Sequence, residues 1–224
     1  MSLADWWWEI THEPLQARQT EVTERGLIKP GNPPISTVTL CEMAGRDHAR
    51  AEELRANNRE WLAPWEATVP VGYPTPVPTF DEYTRRTRHL VRVGKVMPLA
   101  IFVDSRQVGQ VTISDITRGA CHSATIGYWV IPEVAGRGLM TLAVAMAFDL
   151  AFTDLGLHRV ELNIRPENAR SLAIPRHLGL RQEGVRRRYI NIASAWADHV
   201  SFAATAEEVP LGGYVRQLEK MRGA

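Results

Sequence analysis

The chain reads as an α+β domain built on a twisted, mainly antiparallel sheet. Three observations predict this. Short β-branched runs such as "MPLAIFVD", "SRQVGQVTISDI" and "HSATIGYWVI" follow one another with turn residues between them. Longer segments such as "GRDHARAEELRANNREWLAPW" carry apolar residues at helical spacing. One strand–helix–strand unit lies between 124 and 165, the arrangement that joins parallel strands.

The elements follow in order. Residues 1–35 form a partly irregular N-terminal extension, because "RGLIKPGNPPIS" holds three prolines and two glycines. Trp6, Trp7 and Trp8 on this extension are expected to pack on the domain or on a second copy, which hints at a homodimer. The main domain spans 36–206 and opens with the strand "STVTLCEM". In the first helix Asp47 supplies the cap, and Ala51, Leu54, Asn58, Trp61 and Leu62 share a face. The proline-rich stretch after Trp65 is loop, and "TFDEYTRRTRHLVRVGK" is the second helix. Three strands precede the apolar helix "GLMTLAVAMAFDLAFTDLG", which ends near Gly156. The strand "HRVELNIRP", the short helix "ENARSLAIPRHLG" and the strands "RQEGVRRRYINI" and "WADHVSFAAT" complete the domain. Residues 207–224 form a tail with a last helix.

Bulk properties narrow the class. At 224 residues and 45% hydrophobic, the chain can bury a sizeable core. A net charge of +1 argues against general nucleic-acid affinity. Cys41 and Cys121 match no metal or redox spacing and point to a reducing compartment. No run of 18 apolar residues is present, and "MSLADWWWEI" lacks the basic start of a signal peptide. The expectation is a soluble cytoplasmic protein, with no metal, no membrane and no nucleic acid among its partners.

The chemistry concentrates in "IPEVAGRGLM", residues 131–140, between a strand and a helix. A helix N-terminus exposes unpaired N–H groups and a partial positive charge, and glycine lets an anion come close. Two readings stand: a tight turn into a helix, and a phosphate cradle. The nucleoside-triphosphate loop is excluded because no Lys-Ser/Thr pair follows Gly138, and the dinucleotide fingerprint because its third glycine is missing.

"GYWVIPEVAGRGLM", followed by "NIRPENARSLAIPRHLGL" and "EG", resembles the GNAT superfamily of acyl-CoA N-acyltransferases. The family's diphosphate signature, Gln/Arg-x-x-Gly-x-Gly/Ala, is met at Gly136 and Gly138 and departs at Glu133. Within the superfamily, "NNREWLAPWEA", "RGACHSATIGYWV", "HRVELNIRPENARS", "LGLRQEG" and "WADHV" are similar to the RimJ/RimL branch of ribosomal-protein N-terminal acetyltransferases. "PWE", "RG..H" and "DHV" lean to its RimJ side. The resemblance implies a GNAT fold: a mixed, mainly antiparallel twisted sheet of six to seven strands with a splayed central strand pair, flanked by about four helices. It implies acetyl-CoA as co-substrate and a primary amine as acceptor.

The resemblance also assigns roles. The thioester carbonyl meets a backbone N–H among Trp129, Val130 and Ile131, and the pantetheine arm pairs with that strand. The diphosphate rests on the N–H groups of Gly136, Arg137, Gly138, Leu139 and Met140, with Arg137 adding charge or simply staying solvated. Asn168 binds pantetheine and Ser171 donates a proton to sulfur, while the plain reading of Asn168 is a helix N-cap. His122 is the candidate base or else a turn histidine without a role, and Tyr128 hydrogen-bonds the incoming amine. Trp65 and Glu66, in a stretch of aromatic and loop residues over 61–80, are candidates for holding the acceptor, though a loop glutamate is usually just solvated. Asp198 closes a turn or pairs with an arginine. The expected activity is acetylation of a protein α-amine, of the ribosomal-protein-alanine type. The alternatives are a small-amine or antibiotic acetyltransferase and a non-catalytic CoA-binding regulator.

Overall fold

The computed structural model describes residues 18–21, 27–32, 34–43, 45–73 and 78–223. The expectation for Trp6–Trp8 lies outside these residues.

Eight strands form one sheet in the order β1-β2-β3-β4-β5-β6-β8-β7. They are β1 (Arg18–Glu21), β2 (Thr37–Glu42), β3 (Met97–Val103), β4 (Arg106–Thr117), β5 (Ser123–Val130), β6 (Arg159–Ile164), β7 (Arg181–Ile192) and β8 (Ala195–Thr205). The short β1, within the expected extension, is one strand beyond the six to seven anticipated. Every neighbouring pair is antiparallel except β5–β6. That parallel pair is joined only at Ser123–Arg159, Ala124–Val160 and Thr125–Glu161. Beyond Thr125 the strands separate, and Ile126–Val130 keeps a partner on its β4 side alone. This is the splayed central pair.

Six α-helices lie among the described residues: α1 (Gly45–Asn57), α2 (Arg59–Leu62), α3 (Phe80–Arg92), α4 (Leu139–Thr153), α5 (Ala169–His177) and α6 (Gly213–Gly223). The single first helix expected through Trp65 is broken into α1, α2 and a 3₁₀ turn at Ala63–Trp65. Asn58 leaves helical geometry at φ −120°, ψ 29°, while its side-chain amide donates to the Leu54 carbonyl at 2.8 Å. Pro64 then starts the 3₁₀ turn. Asp47 sits inside the first turn of α1 instead of capping it. Helix α3 begins with a reciprocal cap, in which Thr79 and Glu82 satisfy each other's backbone N–H groups at 3.3 and 2.8 Å.

Helix α4 is apolar on all sides, and eleven of its residues, among them Leu142, Phe148 and Ala151, are buried. It packs on β2, β4, β5 and β6 and is covered by α5 and α6. The α4–α6 contact has two parts. Phe148 meets Tyr214 edge-on, with centroids 5.3 Å apart. Asp149 accepts the N–H groups of Tyr214 and Val215 at 2.7 and 3.1 Å, so a carboxylate caps the positive end of α6. Gly213, at φ +92°, makes room, since a Cβ there would stand 2.7 Å from the Asp149 carboxylate. Leu27 and Ile28 are also buried, which ties the segment before β2 into the same core. No helix among the described residues is long and apolar enough to cross a membrane.

Replacing Asp149 with Ala should remove the α6 cap and lower stability by about 1–2 kcal/mol. Urea unfolding of the variant beside the parent checks this.

Candidate active site

Where β5 and β6 separate, a cavity of about 580 Å³ opens, within the range typical of small-molecule sites. Each wall is fixed by a local feature of the chain.

The first wall is the exit of β5, with Tyr128, Trp129 and Val130. The Ile131 N–H donates to the Val108 carbonyl at 3.0 Å, so residue 131 still faces β4. Antiparallel backbone alternates, so the N–H and carbonyl of Val130 face the opposite side, into the splay. The Val130 carbonyl there accepts the Trp61 indole N–H at 2.9 Å. Val130 is therefore the member of the Trp129–Ile131 trio whose N–H is presented to the cavity. Ile131 is spent on the sheet, and its side chain is buried.

The second wall is the turn into α4. A 3₁₀ turn at Pro132–Val134 leads to Gly136 at φ +77° and Gly138 at φ +90°, which an L side chain rarely adopts. Gly138 is the N-cap, with no side-chain cap, so the first N–H groups of α4 are left for a ligand. Gly136, Gly138, Met140 and Thr141 line the cavity. Leu139 points its side chain into the core. Glu133, at the first signature position, is bound by Arg106 through two contacts of 3.1 and 2.8 Å. That pairing holds the Glu133 carboxyl below its usual range and neutralises it. The departure from the signature is thus compensated from β4.

The third wall is α5. Asn168 caps this helix by accepting the Ser171 N–H at 3.1 Å, and both residues line the cavity. The helix is short and contains Pro175, so the Ser171 carbonyl lacks the usual donor four residues on. Tyr128 lies beside Ser171. Burial pushes the phenol well above its ordinary range, and the Ser171 hydroxyl opposes that push only in part. The Tyr128 hydroxyl and the Trp129 indole N–H are both shut off from solvent without a hydrogen bond of ordinary geometry. Two orphaned polar groups in one cavity fit a ligand that carries its own polar atoms.

The mouth is aromatic and cationic. Arg170 stacks over Trp61 at 4.7 Å, and Arg165 lies over Trp65 at 5.7 Å. Elsewhere on the lining stand Lys29, His177 and Arg222, for which the sequence offered no local signal. Among the described residues Glu167 is the one carboxylate on it, and Arg165 pairs with it at 3.1 Å.

Several expected residues lie elsewhere. His122 precedes β5 at the end far from Val130, in a turn with φ +41°, and its ring contacts the Gly119 carbonyl at 2.9 Å. Eight residues of strand separate it from Val130, about 27 Å. Arg137 turns off the cavity, donating its Nε–H to the Lys29 carbonyl at 3.1 Å. Glu66 is paired with Arg55 at 2.9 Å and does not line the cavity. Asp198 accepts the Arg188 N–H at 2.8 Å, closing an irregularity in β7. Among the described residues no cluster of three potential metal ligands occurs.

Residues 38–181 match the family described as acetyltransferase (GNAT) domain. The probable N-acetyltransferase YjcK of Bacillus subtilis is 38% identical over 96 residues, covering 43% of this chain. The chain spans 53% of that relative's length. The ribosomal protein uS5-alanine N-acetyltransferase of Escherichia coli is 28% identical over 171 residues, covering 73% of this chain and 84% of the relative. Among solved structures, Mycobacterium smegmatis RimJ in complex with CoA-disulfide superposes with a TM-score of 0.75 at 36% identity. That superposition covers 87% of this chain and 91% of the other. An elongated thioester nucleotide suits the cavity described: open N–H groups at one wall, a strand edge at another, cations at the mouth.

A Cβ at Gly136 would meet nothing within 4 Å, so a larger side chain enters open space beside the α4 N-terminus. Gly136→Glu should therefore leave the protein folded, with about 1–2 kcal/mol of left-handed backbone strain, and cut CoA affinity at least about tenfold by placing a negative charge in the cradle. Calorimetric titration together with a melting curve checks both halves.

Proposed function

Because the chain belongs to the GNAT acetyltransferase family, as an acetyl-CoA-dependent acyltransferase, we propose that its acceptor is the α-amine at a protein N-terminus. The observation that carries this reading is the charge around the reaction end. Arg170 and Arg165 lie over Trp61 and Trp65 at the mouth, and the cavity's one carboxylate among the described residues, Glu167, is held by Arg165. Such a mouth repels a polycationic amine and offers no dedicated carboxylate to deprotonate one.

An α-amine needs less help. Its pKa of about 7.7–8.0 leaves roughly a fifth to a third neutral at pH 7.4, against about one part in a thousand for an alkylamine near 10.4. Nucleophilic attack requires the neutral form, so at a site without a strong base the α-amine starts with a neutral fraction about two to three hundredfold larger. The proton lost on attack passes to solvent at the open mouth. The similarity to a ribosomal protein uS5-alanine N-acetyltransferase supports the same choice, with a small first residue on the acceptor.

The residues divide the remaining work. The bound thioester supplies the activated acetyl group. The Val130 N–H, facing the splay, donates to the carbonyl oxygen as charge develops there. The N–H groups of Gly136 to Met140 carry the diphosphate, and Asn168 orients the pantetheine arm with the amide N–H left over from capping. Ser171 passes its hydroxyl proton to the departing sulfur and takes one back from solvent at the open mouth, so the proton lost by the amine and the one gained by the thiol balance. Tyr128, kept neutral by burial, is the adjacent hydroxyl that sustains this donor and meets the incoming amine. Trp61 and Trp65 hold the acceptor's first residues at the mouth.

Two measurements test this. Thiol release from acetyl-CoA should be faster by well over tenfold with an alanine-initiated peptide than with spermidine at equal concentration and pH 7.4, and should rise with pH through the α-amine pKa near 8, levelling off about one unit above it. Equal rates for both amines would overturn the acceptor assignment. Ser171→Ala should lower kcat by roughly ten- to a hundredfold while changing acetyl-CoA affinity by less than about threefold.

A further inference from the structure

Three cationic side chains, Lys29, Arg137 and Arg222, gather around the N-terminus of α4, whose first turn contains no acidic residue. This is electrostatically the wrong end, because a helix N-terminus is itself positive and favours anions. Glu133, in the turn that leads to α4, is already held by Arg106. Neither Lys29 nor Arg222 forms an ion pair among the described residues, and both line the cavity. Arg137 instead acts as a brace. Its Nε–H donates to the Lys29 carbonyl at 3.1 Å, and its own carbonyl accepts the Lys29 N–H at 2.8 Å. That pair of bonds fixes Lys29 beside the cradle. Arg222 arrives from the other end of the chain: α6 is anchored at its start by Asp149 and runs about 14 Å to Arg222. There the guanidinium lies 2.7 Å from the point where a Cβ on Gly138 would stand. Arg222 stays exposed overall, and desolvation of the part that lies against the protein pulls its pKa down.

We propose that Lys29 and Arg222, from outside the family-matched segment 38–181, form a cationic clamp on the phosphates of CoA, with Arg222 gripping the diphosphate over Gly138. The glycine at 138 then serves twice. It permits the left-handed turn, and it leaves the gap through which the guanidinium reaches the cradle. An arriving dianion turns a repulsive cluster into a set of charge-assisted hydrogen bonds.

The inference rests on CoA occupying this cavity, which titration of the unaltered protein tests separately. The test compares Arg222→Ala, Arg222→Lys and Lys29→Ala with the parent, by calorimetric or competition titration with CoA, dephospho-CoA and pantetheine. Arg222→Ala should weaken CoA and dephospho-CoA alike by roughly tenfold, with pantetheine unchanged and much of the affinity restored in Arg222→Lys. Lys29→Ala should weaken CoA by roughly fivefold and leave pantetheine unchanged. Unchanged CoA affinity in Arg222→Ala overturns the clamp, as does a loss shared by pantetheine, which marks a structural role. A loss confined to CoA and absent with dephospho-CoA places Arg222 on the 3′-phosphate and overturns the diphosphate assignment.

Discussion

The parallel contact between β5 and β6 is only three residue pairs long, and the site depends on that brevity. Had the ladder continued past Thr125, the inner edge of β5 would be paired with β6 and there would be no cavity between them. Its early end leaves the backbone from Ile126 to Val130 hydrogen-bonded on one side only. An edge buried in the middle of a sheet is costly without a partner, so the protein carries a preformed place for an extended ligand. Trp61 covers one of these groups, the Val130 carbonyl, and leaves the adjacent N–H facing the opening.

What holds the strands apart is helix packing. Helix α4 links β5 to β6 and is apolar around its whole circumference, so it needs burial on both faces. The sheet covers one face, and α5 and α6 cover the other. Helix α5 contributes its N-cap, Asn168, and the adjacent Ser171 to the cavity. Helix α6 is held by Asp149 and the Phe148–Tyr214 contact, and the same contacts that bury α4 carry Arg222 to its N-terminus. Core packing and ligand recognition are thus the same set of contacts seen from two sides.

Charge bookkeeping around the cradle follows one rule. Carboxylates near the cavity are neutralised by nearby arginines: Glu133 by Arg106, Glu66 by Arg55, Glu167 by Arg165. Cations are left facing the space. The result is a region tuned for anions at the α4 N-terminus and poor in base at the reaction end, which is consistent with an acceptor that arrives partly neutral.

Local pattern was enough for most of this architecture. Alternating and helical periodicity gave the strands from Thr37 onward and the helices, and "EVAGRG" between strand and helix marked the glycine turn into an uncapped helix start, because turn chemistry and a bare helix N-terminus are written within ten residues. Asn168 and Ser171 were legible for the same reason: a cap and a residue three positions on share one turn. Failures came where the answer depended on distance through space. His122 looked near the site in sequence, yet it stands at the far end of its strand. The Arg137 side chain could add charge to the cradle or stay solvated, and the Lys29 carbonyl draws it aside. Glu66 looked available, yet Arg55 takes it. By itself, the chain determined the family fold, the glycine turn into α4 and the Asn168 cap, since each is a short-range consequence of residue type. Tertiary structure alone decided where β5 and β6 part and which cations face the gap, because Lys29 and Arg222 come from opposite ends of the chain and meet only through the packing of α4.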